Sequence, residues 1–314
     1  MVSIGCKILQ YILYRKGNIN CIRNPNVIEN LKKGRTMIKH IQKKGFIISE
    51  HVTEKNSKYV IIKKDNGVEP KKVIYFMHGG AYITGLLSVY EKYWYPFCNL
   101  RDDIEIVLLD YSVAPEHKYP TQLNEAIDVW FELTKTIKQE NIIVGGDSAG
   151  GNLSLILINK LQKEYGILPK AGIFFSTWTD MTLSGKSIYD NYTKDVLSGD
   201  YDHPLTKENY EIYKNSEIFC FIGDADRKDP YISPVFDDYK IFPKSLFFVG
   251  GNEMILDDTL RVVDKIKQNG NDVTLINKEE MFHVYPIFAS FAPEGKEALK
   301  IIQKFVLECF EENK

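Results

Sequence analysis

Residues 141–155 read NIIVGGDSAGGNLSL. The apolar run Ile142-Ile143-Val144 stops at Gly145 and Gly146. Asp147, Ser148, Ala149, Gly150 and Gly151 follow, and then a helix-like pattern begins. A buried strand that gives way to a helix through the smallest residues can turn sharply with little steric conflict. It also sets a lone hydroxyl at the junction.

The same alternation extends in both directions. Apolar runs occur at 72–78 (KVIYFMH), 104–110 (IEIVLLD), 171–176 (AGIFFS), 245–251 (SLFFVGG) and 272–277 (DVTLIN). Helical stretches fall at about 88–101, 120–139, 149–165, 257–269 and 294–312. Near-continuous apolar strands between helices predict an α/β fold, with a mostly parallel sheet covered on both faces. FIISEHV (46–52) and KYVIIKK (58–64) read as two further strands joined by a polar turn. Residues 180–240 break the rhythm. They are rich in Tyr, Asp, Ser and Pro and read as an insertion. Residues 1–45 read as helical, with Ile8, Leu9, Ile12 and Leu13 on one face and Met37, Ile38 and Ile41 on another, in a basic setting around LKKGRTMIKHIQKK. The simplest division is one catalytic domain, 46–314, with a cap at about 180–240, preceded by the segment 1–45.

Composition excludes several classes. The 314 residues carry 40 Lys+Arg against 42 Asp+Glu, a net charge of −2, so nothing favours nucleic acid as a partner. Cys6, Cys21, Cys98, Cys220 and Cys309 are scattered and odd in number, which suits reduced thiols in a cytoplasmic protein. The start lacks a basic n-region and a clear cleavage site, so no signal peptide is expected, and no stretch reaches a membrane span. A weak membrane or lipid contact through the N-terminal segment and a homodimer stay open. No zinc signature of the H-E-x-x-H type and no dinucleotide fingerprint occurs, so neither metal nor organic cofactor is expected.

Gly146-Asp147-Ser148-Ala149-Gly150 fits G-x-S-x-G, and its place between strand and helix is that of a nucleophile elbow. The N-terminus of the following helix favours negative charge beside the hydroxyl. A serine nucleophile needs donors for the oxyanion formed on attack. His78-Gly79-Gly80-Ala81 ends a strand and enters a loop, where the N–H groups of Gly79 and Gly80, with that of Ala149, are the expected donors. His78 is expected to hold that loop rather than to act as base. His283 is the only histidine after His203 and follows the run 272–277, the place for a general base in the chain order serine, acid, histidine. The acid lies in VGGNEMILDDTL, where Glu253, Asp257 and Asp258 compete. Position just past the strand favours Glu253. Asp257 is the runner-up, since it and Asp258 stand where a helix starts and suit its cap.

Together these pieces resemble the hormone-sensitive-lipase-like family of α/β-hydrolases, the microbial carboxylesterases and acetyl esterases. The likeness covers roughly 70–310 and rests on HGGAYITG (78–85), DYSVAPEHKYP (110–120), GDSAGGNL (146–153), STWTDMTLSG (176–185), DPYISPVF (229–236), GGNEMILDD (250–258) and FHVY (282–285). It implies the α/β-hydrolase fold with a helical cap, built from the N-terminal segment and the insertion, and structural roles for Glu116 and His117. The family's acid commonly opens a D-P-L-x-D pattern, whose first and last Asp fall at Glu253 and Asp257. This chain departs from that form. The resemblance implies a serine carboxylesterase acting on a small-molecule ester of short to medium acyl chain. Tyr82 and Trp178 are expected to line an apolar pocket, with Tyr189 and Tyr192 nearby. The alternatives are a ligand-binding relative without turnover, and an amidase or acyltransferase using the same triad.

Overall fold

The strand β5 (Ile142–Asp147), which delivers Ser148, is buried along its whole length, and so are β4 (Ile104–Leu109) and β7 (Ser245–Gly250). Only strands roofed on both faces bury every residue, so the apolar runs report the layers directly. The computed structural model, which describes residues 2–17, 26–33, 35 and 40–311, has one eight-stranded sheet. Its other strands are β1 (Phe46–Val52), β2 (Lys58–Lys64), β3 (Lys72–Met77), β6 (Ala171–Phe175) and β8 (Val273–Lys278), in the order β1-β2-β4-β3-β5-β6-β7-β8. β2 is antiparallel to both β1 and β4, and every pair from β4 onward is parallel. The expected hairpin of 46–64 therefore forms one edge, where β1 alternates between half-buried and exposed positions.

Among the described residues ten α-helices pack around this sheet. α1 (Ile4–Gly17) and α2 (Val27–Lys33) come from the N-terminal segment. α3 (Ser88–Trp94), α4 (Thr121–Leu133) and α5 (Ser148–Lys160) follow β3, β4 and β5. The insertion after β6 holds two short α-helices, α6 (Ser187–Asp190) and α7 (Lys207–Lys214), and 3-10 turns at Glu217–Ile222 and Pro234–Phe236. α8 (Leu256–Gln268) follows β7. After β8 come the single turn α9 (Tyr285–Phe288) and α10 (Pro293–Glu311). One core lies on the α4, α5 and α8 face of the sheet, around Trp130, Leu153 and Val263. The other lies on the α3 and α10 face, around Trp94, Phe175 and Val306.

The N-terminal expectation needs correction. Leu9 and Leu13 pack against the second core, but Ile8 and Ile12, expected on the same face, are exposed together with Ile4. α1 is apolar around more than one side, so periodicity alone could not say which side the body covers. Met37 and Ile38 lie outside the described residues. Among the described residues no helix is long and apolar enough to cross a membrane.

Candidate active site

The turn from β5 into α5 forces Ser148 to φ 52°, a left-handed conformation that few non-glycine residues adopt. The bend holds because its neighbours are glycines. A Cβ on Gly146 would sit 2.2 Å from the Gly150 carbonyl oxygen, and one on Gly150 would sit 2.1 Å from that of Met77. Strand, helix and the end of β3 meet there with no room for a side chain. Ser148 is thereby raised at the carboxyl end of the sheet, at the N-terminus of α5. Other strained residues gather at the same end: Ala81 at φ 55°, Ser176 at φ 49° and Val284 at φ 56°. Such strain persists only where surrounding structure enforces it.

The loops after β7 and β8 bring an acid to a histidine. His283 Nδ1 lies 2.8 Å from Glu253 Oε2. Glu253 is fully buried, and its Oε1 accepts from Ser176 Oγ at 2.7 Å and from the Gly250 N–H. Ser176 Oγ in turn accepts from the Val284 N–H at 2.9 Å, so one hydroxyl at the end of β6 braces both loops. Burial lowers the His283 pKa, but the hydrogen bond and charge of Glu253, helped by Asp195 and Asp147, outweigh it and raise the value above 6.5. Asp257 is elsewhere. Its carboxylate accepts from the Ser187 N–H at 2.9 Å. Asp258 accepts from the N–H groups of Thr179 and Asp180. Both fix the insertion to α8, and neither reaches His283.

Ser148 and His283 line one cavity of about 240 Å³ with Gly79, Gly80 and Ala81. Leu31 of α2 and Leu197, Ser198 and Ile218 of the insertion also line it, as do Thr84, Leu87, Tyr90, Asp147, Val284 and Phe288. One of the expected donors has protein partners. The Gly79 N–H is already engaged, at 3.0 Å from Asp147 Oδ1 and 2.9 Å from the Tyr90 hydroxyl. The N–H groups of Gly80 and Ala81 have no protein acceptor among the described residues. That of Ala149 stands in the first turn of α5, where helical N–H groups lack an intrahelical partner. Gly80 and Ala81 line the cavity, and Ala149 follows Ser148 at the start of α5. His78 holds the loop, as expected. It donates to the Gly79 carbonyl at 2.8 Å and stacks on Tyr111, and burial takes its pKa down to about 4.

Tyr82 and Trp178 do not line the cavity. The Tyr82 hydroxyl donates to Asn152 Oδ1 at 2.8 Å, and its ring stacks on Phe221 at 4.3 Å. Trp178 packs on Phe219 and Phe221. Both belong to an aromatic core under the insertion, to which their hydrogen bonds and ring partners commit them. Sequence reading missed Ser176, Asp147 and the cap residues Leu31, Leu197 and Ile218. For Ser176 a signal existed, because it is the polar residue closing the run 171–176 at the carboxyl end of a strand. Asp147 carries a signal too. It lies buried inside G-x-S-x-G, among the described residues no lysine or arginine pairs with it, and burial pushes its pKa up to about 7 against the opposing pull of Tyr90, His283 and Gly79.

The geometry agrees with what the chain resembles. A family model described as the alpha/beta hydrolase fold matches residues 74–287. An esterase of Acinetobacter venetianus is 31% identical over 235 residues, 74% of each chain. An acetyl-hydrolase of Streptomyces hygroscopicus is 24% identical over 236 residues, 75% of each. A crystal structure of an esterase from the bacterial hormone-sensitive lipase family superposes with a TM-score of 0.81 at 23% identity, covering 99% of both chains. The chain belongs to the alpha/beta hydrolase fold family, and it is a hydrolase.

Proposed function

We propose that the protein is a serine carboxylesterase that hydrolyses short- to medium-chain acyl esters through an acyl-enzyme intermediate. The observation that carries this reading is the 2.8 Å contact of His283 Nδ1 with buried Glu253, made at the wall of the cavity that Ser148 also lines. Glu253 fixes the imidazole so that Nδ1 carries its proton and Nε2 is left to act as base. Nε2 takes the Ser148 proton as Oγ attacks the ester carbonyl. The N–H groups of Gly80, Ala81 and Ala149 receive the oxyanion. His283 then protonates the leaving alcohol, and the acyl group stays on Ser148. Water, deprotonated by the same imidazole, releases the acid and restores the serine. Glu253 stabilises the imidazolium that forms in each half-reaction.

The walls support the substrate class. They are largely apolar, with Leu31, Leu87, Leu197, Ile218 and Phe288, and among the described residues carry no lysine or arginine. A cavity of about 240 Å³ suits a small uncharged acyl group better than a long lipid chain. The relatives named esterase and acetyl-hydrolase point the same way. The cap is proposed to comprise residues 1–45 and the insertion at about 180–240 on the catalytic domain 46–314, because Leu31, Leu197 and Ile218 roof the cavity from those two places.

The test is turnover of p-nitrophenyl esters from acetyl to palmitoyl, with Ser148→Ala alongside, and labelling by a fluorophosphonate. The reading expects hydrolysis that peaks at short chains and labelling, both lost in the variant. A peak at long chains means a lipase. Labelling without ester hydrolysis means an amidase or acyltransferase. Neither activity nor labelling means a pocket that only binds.

A further inference from the structure

The loop that carries Glu253 has no regular structure of its own, and the insertion supplies much of what fixes it. Asn191 Nδ2 donates to the Gly251 carbonyl at 3.0 Å and to the Glu253 carbonyl at 2.9 Å. Asp195 Oδ2 accepts from the Met254 N–H at 2.9 Å, immediately after the acid. Its other oxygen accepts from the N–H groups of Leu197 and Ser198, both at 3.0 Å. Leu197 and Ser198 are cavity wall. Asp195 is 1% exposed, and among the described residues no lysine or arginine pairs with it. Burying an anion without a cation is costly, and three backbone N–H donors offset that cost through charge-assisted hydrogen bonds. The carboxylate thus joins two segments that both touch the reaction.

We infer that Asp195 is a positioning residue that ties the cavity wall at Leu197 and Ser198 to the loop holding Glu253, so that one buried carboxylate sets both the acyl pocket and the acid. This rests on the triad reading above. It gives the insertion a second role beyond roofing the cavity. The wall and the acid loop share one anchor, so a change that loosens the wall through this anchor also lets Glu253 drift from His283. Asp195 acts on His283 through space as well. The carboxylates that raise the His283 pKa are Glu253 from the acid loop, Asp195 from the insertion and Asp147 from the end of β5. Tyr90 of α3 is the remaining titratable group on the cavity wall. The Asp195 charge also raises the pKa values of Tyr201 and Tyr213, which lie within the insertion.

The experiment compares Asp195→Asn, Asp195→Glu and Leu197→Ala in the full chain, by pH profiles of kcat/KM on p-nitrophenyl acetate and by the acetyl-to-octanoyl rate ratio. Asp195→Asn should lower kcat roughly ten- to a hundred-fold, the scale of a small misplacement of catalytic groups. It should move the acid limb to lower pH by about a few tenths of a unit, the scale of one charge lost at some distance. It should also change the chain-length ratio. Leu197→Ala should change the ratio while leaving the acid limb in place. Asp195→Glu, which keeps the charge but lengthens the tie, should lower kcat with the limb held near the parent's, and it serves where the Asn variant does not fold. An Asp195→Asn protein of normal melting temperature whose acid limb and kcat are unmoved overturns the inference. So does an Asp195→Glu protein that matches the parent in kcat and ratio. Retained hydrolysis by Ser148→Ala would instead overturn the triad reading itself, so the two failures are separable.

Discussion

At the scale of single residues the site is decided by which polar atoms are already taken. Glu253 keeps one oxygen for His283 because Ser176 and the Gly250 N–H hold the other. Asp257, four residues on, is held by the Ser187 N–H. Replacing Glu253 by Gln should therefore lower kcat by roughly a thousand-fold or more. The amide cannot stabilise an imidazolium, and it invites the wrong tautomer. Asp257→Asn should cost far less. Steady-state rates of the two purified variants check this, and the opposite ranking would move the acid to Asp257. Ser148, Glu253 and His283 were legible as candidates because the proposed mechanism needs each residue type in a fixed order along the chain. The choice among candidate donors was less legible. Gly79 and Gly80 look alike as letters, and what separates them is that Asp147 folds back onto one N–H. Tyr82 and Trp178 misled for a similar reason. An aromatic residue beside a catalytic loop can face the cavity or the core, and here hydrogen bonding to Asn152 and stacking on Phe221 turn Tyr82 inward.

At the scale of elements, period and length did most of the work. Each apolar run became a strand, and the helical stretch 257–269 became α8, Leu256–Gln268, within one residue at either end. The stretch 149–165 closes differently, because its last turn, Leu161–Tyr165, widens into a π-helix before Gly166. The cap resisted reading, because short helices and turns carry no period long enough to assign a buried face. Yet the segments proposed as a cap reach the cavity. Ile218 stands in a 3-10 turn of the insertion and Leu31 in α2, both on the cavity wall. An Ile218→Trp substitution should fill part of this space and penalise long acyl chains. Turnover of the octanoyl ester should fall at least about ten-fold relative to the acetyl ester, the scale of a few methylenes excluded from an apolar pocket. Equal losses on both esters would show that Ile218 shapes folding or access rather than the acyl pocket.

At the scale of the whole molecule, groups from distant parts of the chain converge on one imidazole. Glu253 comes from the loop after β7, Asp147 from β5 and Asp195 from the insertion, and all three raise the His283 pKa above 6.5 against the lowering effect of burial. The base works only when neutral. A raised pKa extends the inactive, protonated form to higher pH, so kcat/KM should fall as pH drops through a midpoint above 6.5. Stability runs the other way. A folded-state value above the unfolded one contributes stability at low pH that is lost as pH rises through the folded value. Between those two values activity therefore gains while this contribution to stability declines. Asp147 is pushed up to about 7 by burial and interacts with His283, so the two ionisations are coupled and the limb belongs to the pair. Asp147→Asn keeps an acceptor for the Gly79 N–H but sets an amide N–H₂ where an oxygen accepts from the Tyr90 hydroxyl, and it removes one of the charges that favour the imidazolium. Its acid limb should simplify to one ionisation and move to lower pH, with stability at alkaline pH raised because the folded state no longer holds a buried carboxyl that ionises there. A pH–rate profile of the two proteins, with thermal melts at acid and alkaline pH, reads both effects. A limb that stays in place in Asp147→Asn would mean that the charge of Asp147 does not reach His283.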